Sequence, residues 1–221
     1  MSPMRSRFDP AELGDRSRFR LIDEYLHADI IIFFKHHYFQ QRGWIIYLHV
    51  LLTFIALAYW SLAGIYAGYP LLTWIVTAGW SIIIMAVIIL PSHALIQYWI
   101  YRAIGAPLTR FYYSFRHIYA LVLSYDFVFY PREIFVVSIV PLLLLNLSIA
   151  SAAAVWESTR FYFLALLAIN IGSESKEFAV MNYYWKKRNR KLYSYNCSTG
   201  KSYIFEDISR SNSQQESVGS S

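Results

Sequence analysis

The chain has 221 residues, of which 57% are hydrophobic, 19% aromatic and 15% charged, and its mean hydropathy is +0.34. So few charges beside so many aromatics exclude an ordinary soluble domain, and apolar runs of spanning length point to an integral membrane protein whose first partner is the lipid bilayer. The net charge of +6 follows from topology, because the basic residues flank the apolar runs as the positive-inside rule requires; a nucleic-acid partner is not expected.

Residues 1–43 read as a cytoplasmic N-terminal segment. Up to about residue 20 it is Arg-rich and broken by Pro3, Pro10 and Gly14. Over 21–42, Leu21, Ile22, Tyr25, Leu26, Ile30, Phe33, Phe34 and Phe39 recur among charges, which predicts an amphipathic helix at the membrane interface. His27, His36 and His37 lie there and read as polar residues at the headgroup boundary. The first apolar run begins beyond residue 40, so no cleavable leader is expected and insertion uses the spans themselves.

Residues 44–185 read as a four-span membrane domain, with spans at about 44–66, 71–100, 132–156 and 161–185. Trp44 and Tyr66 mark the interfaces of the first, and Gly68-Tyr69-Pro70 turns the chain into the second. Pro91 falls inside the second run and predicts a kink, because proline removes one backbone hydrogen bond. A strand-rich insert occupies 105–130: Gly105-Ala106-Pro107 breaks the helix, and Tyr, Phe and β-branched residues then predict strands at roughly 109–117 and 119–129, paired as a hairpin. The third span contains Pro141 and Asn146. The fourth carries Asn170, Gly172, Ser173, Glu174, Ser175, Lys176 and Glu177 in its second half.

Residues 186–221 read as a basic cytoplasmic tail. It opens on Lys186-Lys187-Arg188-Asn189-Arg190-Lys191, has an ordered-looking stretch from Tyr193 to Ile208, and is Ser-rich and expected to be disordered from about residue 209. The lone cysteine, Cys197, excludes an intramolecular disulfide and Cys-rich metal sites. The basic termini and the basic 102–132 segment fall on one side, and the linkers at 67–70 and 157–160 on the other. Four spans with both termini cytoplasmic satisfy this pattern. The expected fold is therefore mainly α, with about four transmembrane helices, a short hairpin after the second and an N-terminal amphipathic helix.

The most chemically informative stretch is Leu90-Pro91-Ser92-His93-Ala94-Leu95-Ile96-Gln97. In H-E-x-x-H, two histidines on one helix face hold zinc and the glutamate polarises water. Here the first ligand position is His93, Ala94 stands at the glutamate and Gln97 at the second histidine. A hydrolytic zinc site needs three protein ligands, an open position and a carboxylate base. His93 offers an imidazole, Glu177 or Glu174 a carboxylate, and Gln97 only a weak neutral ligand, while Ala94 cannot act as a base. The rival reading is structural: His93 and Gln97 hydrogen-bond to their surroundings and to the carbonyls freed by Pro91. For Glu174, Lys176 and Glu177 it is an interfacial charge cluster. No Gly-rich phosphate loop, Ser-His-Asp signature, Rossmann fingerprint or internal repeat is present.

The order of features resembles the zincin membrane peptidases, a bacterial family akin to site-2-type intramembrane metalloproteases. The resemblance is carried by Pro91 to Gln97, Ile104-Gly105-Ala106-Pro107, Tyr130-Pro131-Arg132-Glu133 leading to Val140-Pro141-Leu142, and Asn170-Ile171-Gly172-Ser173 leading to Lys176-Glu177-Phe178, and it covers roughly residues 44–185. It implies His93 as the first metal ligand and Glu177 as the late acidic one, with Gln97 and Ala94 marking the two changed positions.

The leading expectation is a degenerate, non-catalytic member of that fold in the bacterial inner membrane. It would bind a membrane protein or transmembrane peptide and hold no cofactor, with His93, Gln97 and Glu177 as a vestigial metal set. One alternative is an atypical zinc metallopeptidase with Glu174 as base. The other is a structural accessory subunit of a membrane complex, suggested by the seven Trp and nineteen Tyr.

Overall fold

The computed structural model describes residues 9–40, 42–106, 108–114 and 119–209. Among these residues, three helical runs are long and apolar enough to cross a membrane: Trp44–Tyr66, Leu71–Ala103 and Pro131–Val155. The first is α2 (Trp44–Tyr66). It closes on α3 (Leu71–Ile84) and α6 (Arg160–Ser173) at Gly64, where a Cβ would come within 2.1 Å of Trp74 and 2.8 Å of Phe161. A small residue there lets three helices approach, as helix packing in lipid favours.

The second run is not one regular helix. α3 passes into a π-helical turn, Met85–Ile89, and then into α4 (Leu90–Ala103), with the Leu90 N–H bonded to the Met85 carbonyl. The wide turn lies just before Pro91 and accommodates the missing proline N–H, so the expected kink is a π-bulge one turn earlier. α5 (Pro131–Val155) starts with proline in its first turn, where no helical N–H is lost.

The expected fourth continuous span, 161–185, is broken. α6 ends at Ser173, and α7 (Ser175–Lys186) begins after Glu174. Ser173 Oγ donates to the Asn170 carbonyl at 2.8 Å, competing with the helical ladder. His49 of α2 holds the break from outside: Nε2 bonds the Ile171 carbonyl at 2.8 Å, the Tyr38 hydroxyl bonds Nδ1 at 2.7 Å, and the ring stacks on Phe178.

The N-terminal expectation also changes. Residues 19–26 form strand β1 (Phe19–Leu26), and helix α1 covers only Ile30–Gln40. Strand wins because β1 has a partner from the other end of the chain: it pairs antiparallel with β6 (Lys201–Asp207), from Phe19 opposite Asp207 to Leu26 opposite Lys201. β6 pairs in turn with β5 (Leu192–Cys197), and Gly200, at φ +93°, closes their three-residue loop. Part of the expected basic tail is thus a sheet. The expectations for residues 1–8, for 115–118 and for the tail beyond 209 fall outside the described residues.

The insert forms a hairpin of β2 (Leu108–Ser114) and β3 (Tyr119–Tyr125), in register from Leu108 opposite Tyr125 to Ser114 opposite Tyr119. The second expected strand, 119–129, breaks at Asp126, whose φ of +52° is one that Asp tolerates. The chain then crosses to the other sheet as β4 (Val128–Phe129), which pairs with β5 and completes the order β1-β6-β5-β4. Leu123, Val180, Tyr183, Leu192 and Ile204 pack as one core and fasten both sheets to α7.

Candidate functional site

The break before α7 and the bulge before α4 aim polar side chains at one interior point. His93 and Gln97 lie four residues apart on α4 and so share a face. Glu177 projects from the first turn of α7 toward them. His93 (7% exposed), Gln97 (5%) and Glu177 (6%) are all buried. His93 Nε2 lies 3.7 Å from Glu177 Oε1, and the same oxygen receives the Lys176 ammonium at 2.9 Å. Among the described residues His93 Nε2 has no hydrogen-bond partner. Gln97 Nε2 donates to the Val137 carbonyl of α5 at 3.5 Å. Gln97 thus bonds to its surroundings on α5 rather than to a carbonyl next to Pro91.

Gln97, Lys176 and Glu177 open onto a cavity of about 90 Å³ between α4, α5, α7, β3 and β5. Its wall alternates polar and apolar groups: Ser138, Ser194 and Asn196 beside Val122, Phe129 and Ile134. The β5 wall is fixed by Asn196, which donates to the Ser124 carbonyl at 3.1 Å and accepts from Ser202 Oγ at 2.7 Å. These β5 residues are a part of the site that motif spacing in the helices misses; only the strand-like pattern of Leu192-Tyr193-Ser194-Tyr195-Asn196-Cys197 signals them.

Glu174, the expected rescuing base, faces elsewhere. Asn146 donates to both of its oxygens at 2.9 and 3.0 Å, and Asn170 donates to Oε1 at 3.0 Å. Asn170 also donates to Asn146 Oδ1 at 2.9 Å. This closes a buried network joining α5 to the end of α6, satisfied by amide N–H groups as an interior carboxylate requires. Glu174 and Glu177 are both buried in protein. Ala94 packs in an apolar cluster with Val122, Leu90, Tyr98 and Tyr101.

The donor set does not fit a hydrolytic zinc ion. The one carboxylate beside His93 already carries an ammonium, and a divalent ion on that oxygen would meet Lys176 at close range. Gln97 turns its amide N–H to a carbonyl, and no base stands at Ala94. No group of three or more His, Cys, Asp or Glu side chains is arranged to hold a metal among the described residues. The arrangement can instead hold a charge-neutral polar cluster next to a cavity and offer hydrogen-bond donors and acceptors to whatever enters it. No known protein family, curated protein or solved structure matches this chain.

Proposed function

We propose that the protein is a non-catalytic membrane receptor built on a degenerate intramembrane-peptidase scaffold, and that its cavity receives part of a membrane-protein partner. The observation that carries this reading is the Lys176 ammonium, 2.9 Å from Glu177 Oε1 and beside His93, where the resemblance would have a metal. An internal cation neutralises the carboxylate without supplying an activated water. The cavity is far smaller than those that enclose a drug-sized ligand. It suits one polar side chain or a short unwound stretch of a partner.

The same reading includes four membrane crossings in a bacterial inner membrane, with both termini cytoplasmic. β1 precedes every span, β4 follows the second apolar run, and β5 and β6 follow α7, yet all four strands share one sheet. A sheet lies on one side of a bilayer, so the chain crosses an even number of times both before β4 and after it. The long apolar helices among the described residues number three; in this reading the broken pair α6–α7 supplies the fourth crossing. At the break Glu174 itself is buried in protein, which supports a crossing that carries non-helical backbone at membrane depth. Lys186 to Lys191 at the sheet end mark the cytoplasmic face.

Metal analysis of the detergent-purified protein, wild type beside His93→Ala, tests the reading. Equal, substoichiometric zinc in both is the expected result. Zinc at about one per chain in the wild type, lost in His93→Ala, would sink it and restore the metallopeptidase alternative. A photo-crosslinking residue at Ile134, in the cavity wall, is expected to capture a membrane protein, whereas one at Val155, at the far end of α5, is not.

A further inference from the structure

A second site lies at the corner where α2 begins and α7 ends. The two helices nearly touch there, since a Cβ on Gly43 would sit 2.2 Å from Asn182 Oδ1. Lys186 follows Asn182 by four residues and so lies on the same face one turn further out, and Arg42 directly precedes Gly43 in the chain. Trp44 and Trp185 meet edge to face with centroids 5.4 Å apart, and remain 53% and 36% exposed. The Arg188 guanidinium lies 5.0 Å above the Trp185 ring, which fixes it over this corner.

Arg42, Lys186 and Arg188 are all exposed, and among the described residues none of them forms an ion pair with a carboxylate. Their neighbours are engaged: Lys187 pairs with Asp23 and Arg190 with Glu206. Three cations without a carboxylate partner among the described residues thus flank an exposed tryptophan pair at the end of a membrane-spanning helix. Directly below them, Tyr47, Leu48 and Leu51 continue as an exposed apolar strip along α2. The first turn of α2 also lacks a side-chain cap and adds its partial positive charge.

We infer that this corner is a binding site for an anionic phospholipid, its phosphate held by Arg42, Lys186 and Arg188 and its acyl chain lying along Trp44 and the α2 strip. A lipid is favoured over a free anion because the cation cluster leads without interruption into exposed apolar surface, which matches a molecule charged at one end and apolar along the rest. Interfacial tryptophan beside clustered Lys and Arg is the chemistry that recognises such headgroups.

The test is native mass spectrometry of the full chain in uncharged detergent with phosphatidylglycerol, phosphatidylcholine or inorganic phosphate as the probe. Phosphatidylglycerol is expected to be retained and the other two not. Arg42→Gln/Lys186→Gln/Arg188→Gln is expected to weaken retention by at least about tenfold, given that each basic residue near the headgroups contributes appreciably. Arg16→Gln/Arg110→Gln/Arg132→Gln removes the same charge from other cytoplasmic-end positions and is expected to leave retention unchanged. Equal loss in the two triple variants would overturn the site in favour of general electrostatic attraction. Equal retention of phosphatidylcholine, or of inorganic phosphate, would overturn it as well. Neither outcome bears on the cavity, which these variants do not touch.

Discussion

Lys176 decides what the buried cluster can do. Glu177 is almost wholly enclosed, and its principal cation is the ammonium of the residue before it. Removing one member of a buried pair leaves an uncompensated charge, whereas removing both leaves none. Lys176→Ala is therefore expected to destabilise the protein by about 3 kcal/mol, and Lys176→Ala/Glu177→Gln to recover most of that loss, read as unfolding in detergent micelles. If the double variant is as unstable as the single, the pair is not what holds the site. Ala94 packs in an apolar cluster against Val122 and Leu90, surroundings in which burying a charged side chain is costly.

Between elements, a polar clasp from β1 to α7 adds to the apolar core in tying the four-stranded sheet to the helices. Asp23 accepts a hydrogen bond from the Tyr183 hydroxyl and one from Lys187 Nζ at 3.1 Å, and Lys187 also lies 3.9 Å above the Tyr183 ring. Burial by itself would raise the Asp23 carboxyl, but the bonds from Tyr183 and Lys187, with the charges of Lys187 and His37, hold it below the ordinary carboxylate range. A depressed folded value means that the clasp stabilises fully above the unfolded pKa and loses that contribution as pH falls through the folded one. Asp23→Asn is expected to be less stable than wild type at neutral pH, with the gap closing on acidification below about pH 4. A gap that stays constant across an acid titration of thermal stability would show that ionised Asp23 contributes nothing.

For the molecule as a whole, the sheet constrains the topology more strongly than hydropathy does. Strands from before the first span, between the second and third, and after α7 are hydrogen-bonded together, so all must reach the same side. Cys197 reports that side. Thr199 donates to its sulfur at 3.1 Å and pulls the thiol below its ordinary range, which favours reaction with maleimides. In inside-out vesicles an impermeant maleimide is expected to label Cys197; in right-side-out vesicles it is expected to label only Ser158→Cys in a Cys197→Ser background. Labelling of both positions from one side would contradict four crossings.

Hydropathy and charge in the sequence determined that the chain enters a membrane and where its long apolar helices run, because twenty or so consecutive apolar residues have few other stable placements. Residue spacing alone put His93 and Gln97 on one helix face, and residue identity alone put an alanine, which cannot act as a base, at position 94. Tertiary structure decided the rest. Residues 19–26 are compatible with an amphipathic helix until β6, from about 180 residues away, supplies a hydrogen-bonding edge. The fourth apolar run looks continuous until His49 and Asn146, brought in by other helices, join its own Asn170 in stabilising a break at Glu174. The pairing of His93 with Glu177 and Lys176, across 84 residues of chain, exists only because that break and the π-bulge before Pro91 turn two helices toward one point. Local sequence carries propensity and pattern, but a hydrogen-bond partner distant in the chain is supplied only by the fold.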